Sequence, residues 1–191
     1  MQGNDRFYIG AEKAGKRMKN NLLVIVFVLI ALILGGALVK SGNEVTERKV
    51  ALDGEVLLNG DISFEEADAK LREAGFEPLD GNVFQLEGQI QDYEGRKVYG
   101  HKAILSVLGY TAVGEKSNML AIMHYFLEDS SANREHPGEN FTDVREKLTQ
   151  SLGKEPTEEE GFLNWQLKGG SSAMMGYIQD GLWMLVYAYT K

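Results

Sequence analysis

The most apolar part of the chain lies close to its first residue. Residues 20–39 carry no charge, and residues 22–39 include 14 Leu, Ile, Val or Phe side chains. A helix of about 20 residues is about 30 Å long, which matches the hydrocarbon thickness of a bilayer. The pattern therefore predicts a transmembrane helix at residues 22–39. A cleaved signal peptide is the alternative, but its apolar region usually has only about 7 to 15 residues.

Two later segments have apolar residues at helical spacing. Ser63 and Glu66 match a capping box, which predicts a helix that starts at Ser63, and Gly75 predicts its end. A shift of 77 residues places Asn140 at the cap of a second helix, followed by the same acidic, apolar and basic positions. The corresponding residues after this cap are Phe141, Asp143, Val144, Lys147 and Leu148. This similarity predicts two repeats, at about 63–130 and 140–191.

After each helical segment the apolar residues alternate with a period of two, which is typical of strands. The predicted strands lie near residues 83–90, 97–109, 118–128, 162–168, 171–179 and 182–190. Asp53-Gly54 predicts the turn of a further hairpin before the first helix. The fold class that follows is α+β, with two helix-β-β-β repeats and an antiparallel sheet that carries its helices on one face.

The order helix, Gly, Pro and three antiparallel strands, repeated once over residues 63–190, resembles two exported families. These are the β-lactamase-inhibitor-protein-like domains and the small outer-membrane assembly lipoproteins. The resemblance implies a domain that binds other proteins and does not catalyse a reaction. The chain differs from both families because it contains no cysteine, so no binding residue is transferred from them.

Charge predicts the orientation of the chain in a membrane. Five basic and two acidic residues precede the apolar segment, whereas the whole chain has a net charge of −8. Because basic residues stay on the cytoplasmic side, residues 1–21 form the predicted cytoplasmic tail. Residues 40–47 then form a tether, and residues 48–191 form an exported domain. The predicted location is the cell membrane, with a single span that contacts lipid.

The composition of the exported part excludes some classes of partner and of stabilisation. Residues 40–191 carry a net charge of −11, which disfavours nucleic acid because its affinity comes mainly from Lys and Arg against phosphate. The absence of cysteine means that burial, and not disulfide bonds, must stabilise the domain.

Ala31 and Gly35 have a small-xxx-small spacing that allows two membrane helices to form a homo-dimer, and a plain lipid-facing anchor is the favoured alternative.

His101 and His124 are the candidate metal ligands. If residues 97–109 and 118–128 pair around the intervening loop, the two imidazoles lie opposite each other. Zinc sites normally take three or four protein ligands, and no Asp, Glu or Cys alternates onto that face nearby. Two partly buried strand histidines are therefore the favoured interpretation, and no catalytic residue, metal or cofactor is assigned.

The late strands are apolar on both faces. One face must pack against the helices. The other face is either covered within the domain or presented to a partner. Internal cover is favoured, because monomers rarely leave large apolar patches bare. The alternative is a surface of methionine and aromatic side chains that docks a protein, a peptide or a lipid chain. Its candidate residues are Met119, Met123, Trp165, Trp183, Tyr187 and Tyr189.

The predicted function is that of a membrane-anchored, non-enzymatic binding or adaptor module. One alternative is an extracytoplasmic metal-dependent enzyme with a site around His101 and His124. Another is a homo-oligomeric structural subunit of the membrane.

Overall fold

The computed structural model of the protein describes residues 58–81, 88–113, 117–167 and 171–190. The predicted cytoplasmic tail, membrane span, tether and first hairpin lie outside these ranges. Within them, no helix combines the length and the apolar character that a membrane crossing requires.

Helix α1 spans Phe64–Glu73 and begins at the predicted capping box. Its cap, Ser63, accepts a 3.1 Å hydrogen bond from the Glu66 amide, and the Glu66 carboxylate accepts a 2.9 Å bond from the Ser63 amide. The chain leaves the helix at Gly75, whose φ of +84° suits a residue without a Cβ. The start and the end of α1 are thus confirmed as predicted.

Helix α2 spans Glu139–Leu152, which corrects the predicted cap. Asn140 is the second residue of the helix, and the cap position is held by Gly138, which has no side chain to offer to the backbone. The side chain of Glu128, which follows β4, takes over that role. The end of the helix at Gly153, with φ of +64°, lies where the sequence places it.

The strands follow the predicted order with three differences. Most of the first predicted strand, residues 83–90, lies outside the described ranges, and the first described strand spans Gln89–Glu94. Residues 97–109 do not form one strand, because the left-handed residues Tyr99 and Gly100 turn the chain back within that range. Thr157–Glu159, which lies outside the predicted strands, forms a short edge strand. The bounds are β1 Gln89–Glu94, β2 Lys97–Val98, β3 His101–Val113, β4 Ser117–Leu127, β5 Thr157–Glu159, β6 Phe162–Gln166, β7 Ser172–Gln179 and β8 Leu182–Thr190.

All the strands pair antiparallel, in the order β1-β3-β4-β8-β7-β6-β5, and β2 pairs only with β3. The two central strands, β4 and β8, pair from Met119↔Thr190 to Leu127↔Leu182. In chain order, β4 is the last strand before α2, and β8 is the last strand after it. The described residues therefore form an α+β domain in which two helices accompany one antiparallel sheet.

The strand register divides the side chains of the central strands between two faces. On the helix face, cross-strand neighbours such as Ile122 and Tyr187 join the buried side chains of both helices in one hydrophobic core. Met123 and Val186 point to the opposite side, which we call the second face. Nine second-face side chains on β4, β7 and β8 are at most 7% exposed, whereas Leu127 at the end of β4 is 53% exposed. The nine are Met119, Ala121, Met123, Tyr125, Met174, Leu182, Met184, Val186 and Ala188.

Candidate functional site

The structure separates the two histidines that the sequence placed opposite each other. His124 of β4 lies opposite Ser106 of β3, whereas His101 pairs with Val98 of β2. Two local features move His101 away: the turn that ends β2, and a register shift between Ala103 and Leu105. His101 precedes Ser106 by five residues, or roughly 16 Å along an extended strand. The register therefore does not bring the two imidazoles together as the alternative of a shared metal would require.

His101 belongs to a partly exposed cluster between the β2–β3 turn and α2. Its Nε2 lies 2.6 Å from Oδ2 of Asp143, and Nζ of Lys147 donates to the same oxygen at 2.5 Å. Asp143 and Lys147 meet because residues four apart lie on one face of a helix. Lys147 also donates a 3.0 Å bond to the backbone carbonyl of Tyr99. We call His101, Asp143 and Lys147 the hairpin cluster.

Asp143 is the one carboxylate of the hairpin cluster, and its hydrogen bonds shift its pKa. The hydrogen bond from Lys147 and then that from His101 lower the pKa of Asp143 below its ordinary value. The side chains of His101, Asp143 and Lys147 are 23%, 41% and 43% exposed, so water reaches all three. The arrangement resembles a carboxylate that orients a general base, but it equally fixes the β2–β3 turn against α2.

A buried contact lies beside the hairpin cluster. The hydroxyl of Tyr99, in the β2–β3 turn, forms a hydrogen bond with the hydroxyl of Tyr187 on the central strand β8. Both side chains are 1% exposed. Tyr99 adopts a φ of +56°, which is uncommon for a residue with a side chain, and Gly100 follows with +89°. The turn thus carries Tyr99 into the core while His101 stays near the surface.

His124 is buried on the helix face. Its Nδ1 lies 2.8 Å from the Ser106 hydroxyl, and its ring is 6.1 Å from the ring of Phe76. In the described part of the chain, its Nε2 has no hydrogen-bond partner. Burial, and secondarily the positive charge of Arg96, lower the pKa of His124 to about 3. His124 is therefore neutral at physiological pH, as the sequence interpretation of a buried strand histidine implies.

The described residues contain no group of three or more His, Cys, Asp or Glu side chains placed to hold a metal ion. His101 is hydrogen-bonded to Asp143, and His124 is hydrogen-bonded to Ser106. Asp143 and Ser106 are the partners that sequence reasoning missed. The i,i+4 spacing of Asp143 and Lys147 was a usable signal for a surface ion pair, whereas nothing in the sequence marks Ser106.

The six candidate partner residues occupy two different environments. Trp165, Trp183, Tyr187 and Tyr189 are at most 7% exposed and belong to the core beneath the helices. Trp183, for example, stacks on Phe126 at 4.0 Å and meets Phe141 of α2 edge-on. These four aromatic residues of the alternative partner surface therefore lie in the hydrophobic core and not on the second face. Met119 and Met123 lie on the second face and are 7% and 4% exposed.

A third polar site, which the sequence did not indicate, lies at the start of α2. Glu128 Oε1, just after β4, accepts hydrogen bonds from the amides of Asn140 and Phe141 at 2.7 and 3.2 Å. Nine residues between Glu128 and Asn140 line a cavity of about 600 Å³ beside it. Because the carboxylate already occupies the amides that an anion would bind, this site stabilises the helix start.

Comparison with known proteins identifies no relative: no protein-family model, no curated protein and no solved structure matches this chain. The resemblance to exported tandem domains remains an expectation from the order of elements.

Proposed function

We propose that this protein is a single-pass membrane protein whose exported domain is a non-enzymatic binding or adaptor module. Residues 1–21 lie in the cytoplasm, residues 22–39 cross the membrane, and residues 40–47 connect the span to the domain at 48–191. The basic residues before the span and the acidic balance after it support this orientation.

The observation that carries the non-enzymatic part of the proposal is how the fold engages its histidines. His101 is bound by Asp143, and His124 is buried against Ser106. Catalysis by the His124 imidazole would require it to leave the core. Around His101, the described residues supply no group of three or more side chains placed to hold a metal ion. A binding module requires neither a movement of His124 nor a metal ion.

The domain consists of two repeats, each a helix followed by three strands. The chain order supports this proposal, since the strands after α1 run β1-β3-β4 from one edge inward and those after α2 run β5-β6-β7-β8 from the other. The short strands β2 and β5 are additions to the three strands of each repeat. The 77-residue shift also relates the buried Ala67 and Leu71 of α1 to the buried Val144 and Leu148 of α2. The displaced start of α2 limits this equivalence to the middle of the two helices.

Membrane topology is tested by cysteine labelling, because the chain contains no cysteine of its own. Gln2→Cys reports on the N-terminal tail, and Gln150→Cys reports on an exposed position of α2. On intact cells, a membrane-impermeant maleimide is expected to label only Gln150→Cys, and both variants after lysis. Labelling of Gln2→Cys on intact cells, or release of the chain from carbonate-washed membranes, contradicts the proposal.

Partner binding is tested by photo-crosslinking in intact membranes. Leu127, at the end of β4 on the second face, is the most exposed large hydrophobic side chain among the described residues, at 53%. A photoreactive amino acid at Leu127 is expected to form an adduct with one other protein, identified by mass spectrometry, whereas one at Gln150 is not. Equal adducts from both positions, or none from Leu127, contradict a specific partner here. Adducts with a second copy favour the homo-oligomeric alternative.

Metal analysis separates this proposal from the enzyme alternative. The full-length protein, purified in detergent without chelator, is expected to contain much less than one zinc per chain. One tightly bound zinc, lost in a His101→Ala variant, would favour a metal-dependent enzyme.

A further inference from the structure

His124 is a buried base, and within the described residues only one of its two ring nitrogens is hydrogen-bonded. The imidazole is 1% exposed and is held through Nδ1 by Ser106 of the neighbouring strand β3. Its other nitrogen, Nε2, has no hydrogen-bond partner in the part of the chain that the structure describes. A neutral ring tolerates this arrangement, but an imidazolium carries two N–H donors and requires an acceptor or water at both.

The cover over His124 comes from the end of α1. Phe76 follows Gly75, which ends that helix, and its ring lies beside the imidazole. Helix α1 packs against β3, the strand that carries Ser106. Phe76 also packs edge-on against Tyr93, at 5.8 Å between ring centroids. Movement of the segment that includes Phe76 would therefore open a route for water to the imidazole.

The charged groups near His124 oppose a positive charge on it. The Arg96 guanidinium lies 4.9 Å from the Phe76 ring centroid and lowers the pKa of His124. On α1, Asp68 is paired with Arg72 and accepts a 2.6 Å hydrogen bond from the Tyr93 hydroxyl. From β8, the cross-strand neighbour of His124 is the apolar Leu185. Ser106 is therefore the polar group on the adjoining strands that contacts the ring.

We propose that the Ser106–His124 pair makes the α1 side of the domain open in acid while the α2 side stays closed. The two helices differ in how firmly they are held. Only Ala67 and Leu71 of α1 are fully buried, whereas α2 buries Phe141, Val144, Leu148 and Leu152. Displacement of α1 with Phe76 therefore exposes His124 to water at a lower cost than unfolding of the whole sheet.

The direction of the effect follows from proton linkage. The pKa of His124 is about 3 in the closed domain and returns toward the ordinary 6.5 once water reaches the ring. The open state therefore binds more protons between these values, and the closed state loses stability as the pH falls below 6.5. The opening equilibrium constant is expected to rise about tenfold per pH unit in this window. From pH 7.5 to pH 5.0 this corresponds to about a 30-fold rise.

Native-state hydrogen exchange with mass spectrometry tests the proposal on the full chain in detergent micelles. After correction for the intrinsic pH dependence of exchange, peptides from residues 64–79 are expected to lose protection about 30-fold between pH 7.5 and 5.0. Peptides from residues 139–152 are expected to keep theirs. His124→Leu and His124→Gln both remove the titrating group, so either one that folds should abolish the loss. His136→Gln, which removes an exposed loop histidine, is the matched control and should retain it.

Two results would overturn the proposal. One is an unchanged acid response of residues 64–79 in a folded His124 variant, which would assign the response to other groups. The other is a parallel loss of protection in α1 and α2, which would mean that acid unfolds the domain as a whole. Neither result depends on the identity of a partner, so this test is separate from those of the proposed function.

Discussion

Glu128 and Tyr177 are joined by a 2.6 Å hydrogen bond, and together they hold the start of α2. The Tyr177 hydroxyl donates to Oε2 of Glu128 and accepts a 2.9 Å bond from the Gly138 amide. Burial, followed by this bond to the carboxylate, raises the pKa of Tyr177 above its ordinary value. A residue after β4 and a residue of β7 thus perform the capping that the helix's own N-terminal residues do not.

Glu128→Ala is expected to destabilise the domain by about 1.5 to 3 kcal/mol, because it removes a charged acceptor from two helix amides. The measurement is the free energy of unfolding from urea titration, followed by circular dichroism. Glu146→Ala is the matched control, since it removes an exposed glutamate from the same helix. We expect the control to change stability by less than about 0.5 kcal/mol. Equal effects of the two substitutions would show that Glu128 does not cap α2.

Gly138→Ala is expected to act through the same carboxylate. A Cβ at Gly138 would lie 2.4 Å from Glu128 Oε1, so the carboxylate must move away from the helix amides. Gly138→Ala should therefore lower the free energy of unfolding of the wild-type chain by about as much as Glu128→Ala does. In the Glu128→Ala background the same substitution should have very little effect. A double-mutant cycle measures this difference. Additive effects in the cycle would contradict the proposed clash.

Two glycines on the second face should respond in opposite directions to alanine. At Gly176 of β7 a Cβ would lie 2.4 Å from the Phe162 ring, whereas at Gly109 of β3 the nearest side-chain atom, from Met123, is 3.9 Å away. Gly176→Ala should cost about 1 to 3 kcal/mol through overpacking. Gly109→Ala should be neutral or stabilising by up to about 1 kcal/mol, because it reduces the freedom of the unfolded chain. Thermal unfolding of both variants distinguishes these outcomes, and similar losses would argue against tight packing at Gly176.

The hydrogen bond between Tyr99 and Tyr187 is expected to couple the β2–β3 turn to the centre of the sheet. Tyr99→Phe and Tyr187→Phe each remove one hydroxyl and keep the ring. The double-mutant cycle should yield a coupling energy of about 0.5 to 1.5 kcal/mol. A coupling near zero would mean that the two hydroxyls do not interact in solution.

The hairpin cluster predicts a defined pH dependence. Because the pKa of Asp143 is lowered in the folded chain, its contribution to stability is present above the ordinary value of 3.8 and is lost as the pH falls through the folded value. The stability difference between wild type and Asp143→Asn should therefore be constant near neutral pH and disappear in acid. Urea midpoints measured between pH 7 and pH 2.5 test this expectation.

Lys147→Met provides the matched background for the Asp143 experiment. It removes the largest cause of the lowered pKa of Asp143. In this background the Asp143 contribution to stability should be smaller, and its loss in acid should be complete at a higher pH than in the wild-type chain. An unchanged profile would mean that Lys147 does not stabilise the Asp143 carboxylate.

The sequence by itself determined the elements whose signals are local. The Ser63 and Glu66 capping box fixed the start of α1, because both partners of its hydrogen bonds lie within one helical turn. The glycines after the two helices fixed their ends for the same reason. Alternating apolar residues located most of the strands, since a strand with a buried face repeats every two residues.

Tertiary structure alone decided the features that depend on distant residues. The register of β3 on β4 placed His124 opposite Ser106, because a turn at Tyr99 and a shift near Ala103 intervene where the sequence pattern is continuous. Glu128 caps α2 across a loop, a contact that no local rule contains. Which apolar face meets the helices also depends on long-range packing: alternation shows that a strand has two apolar faces, but not which one the helices cover.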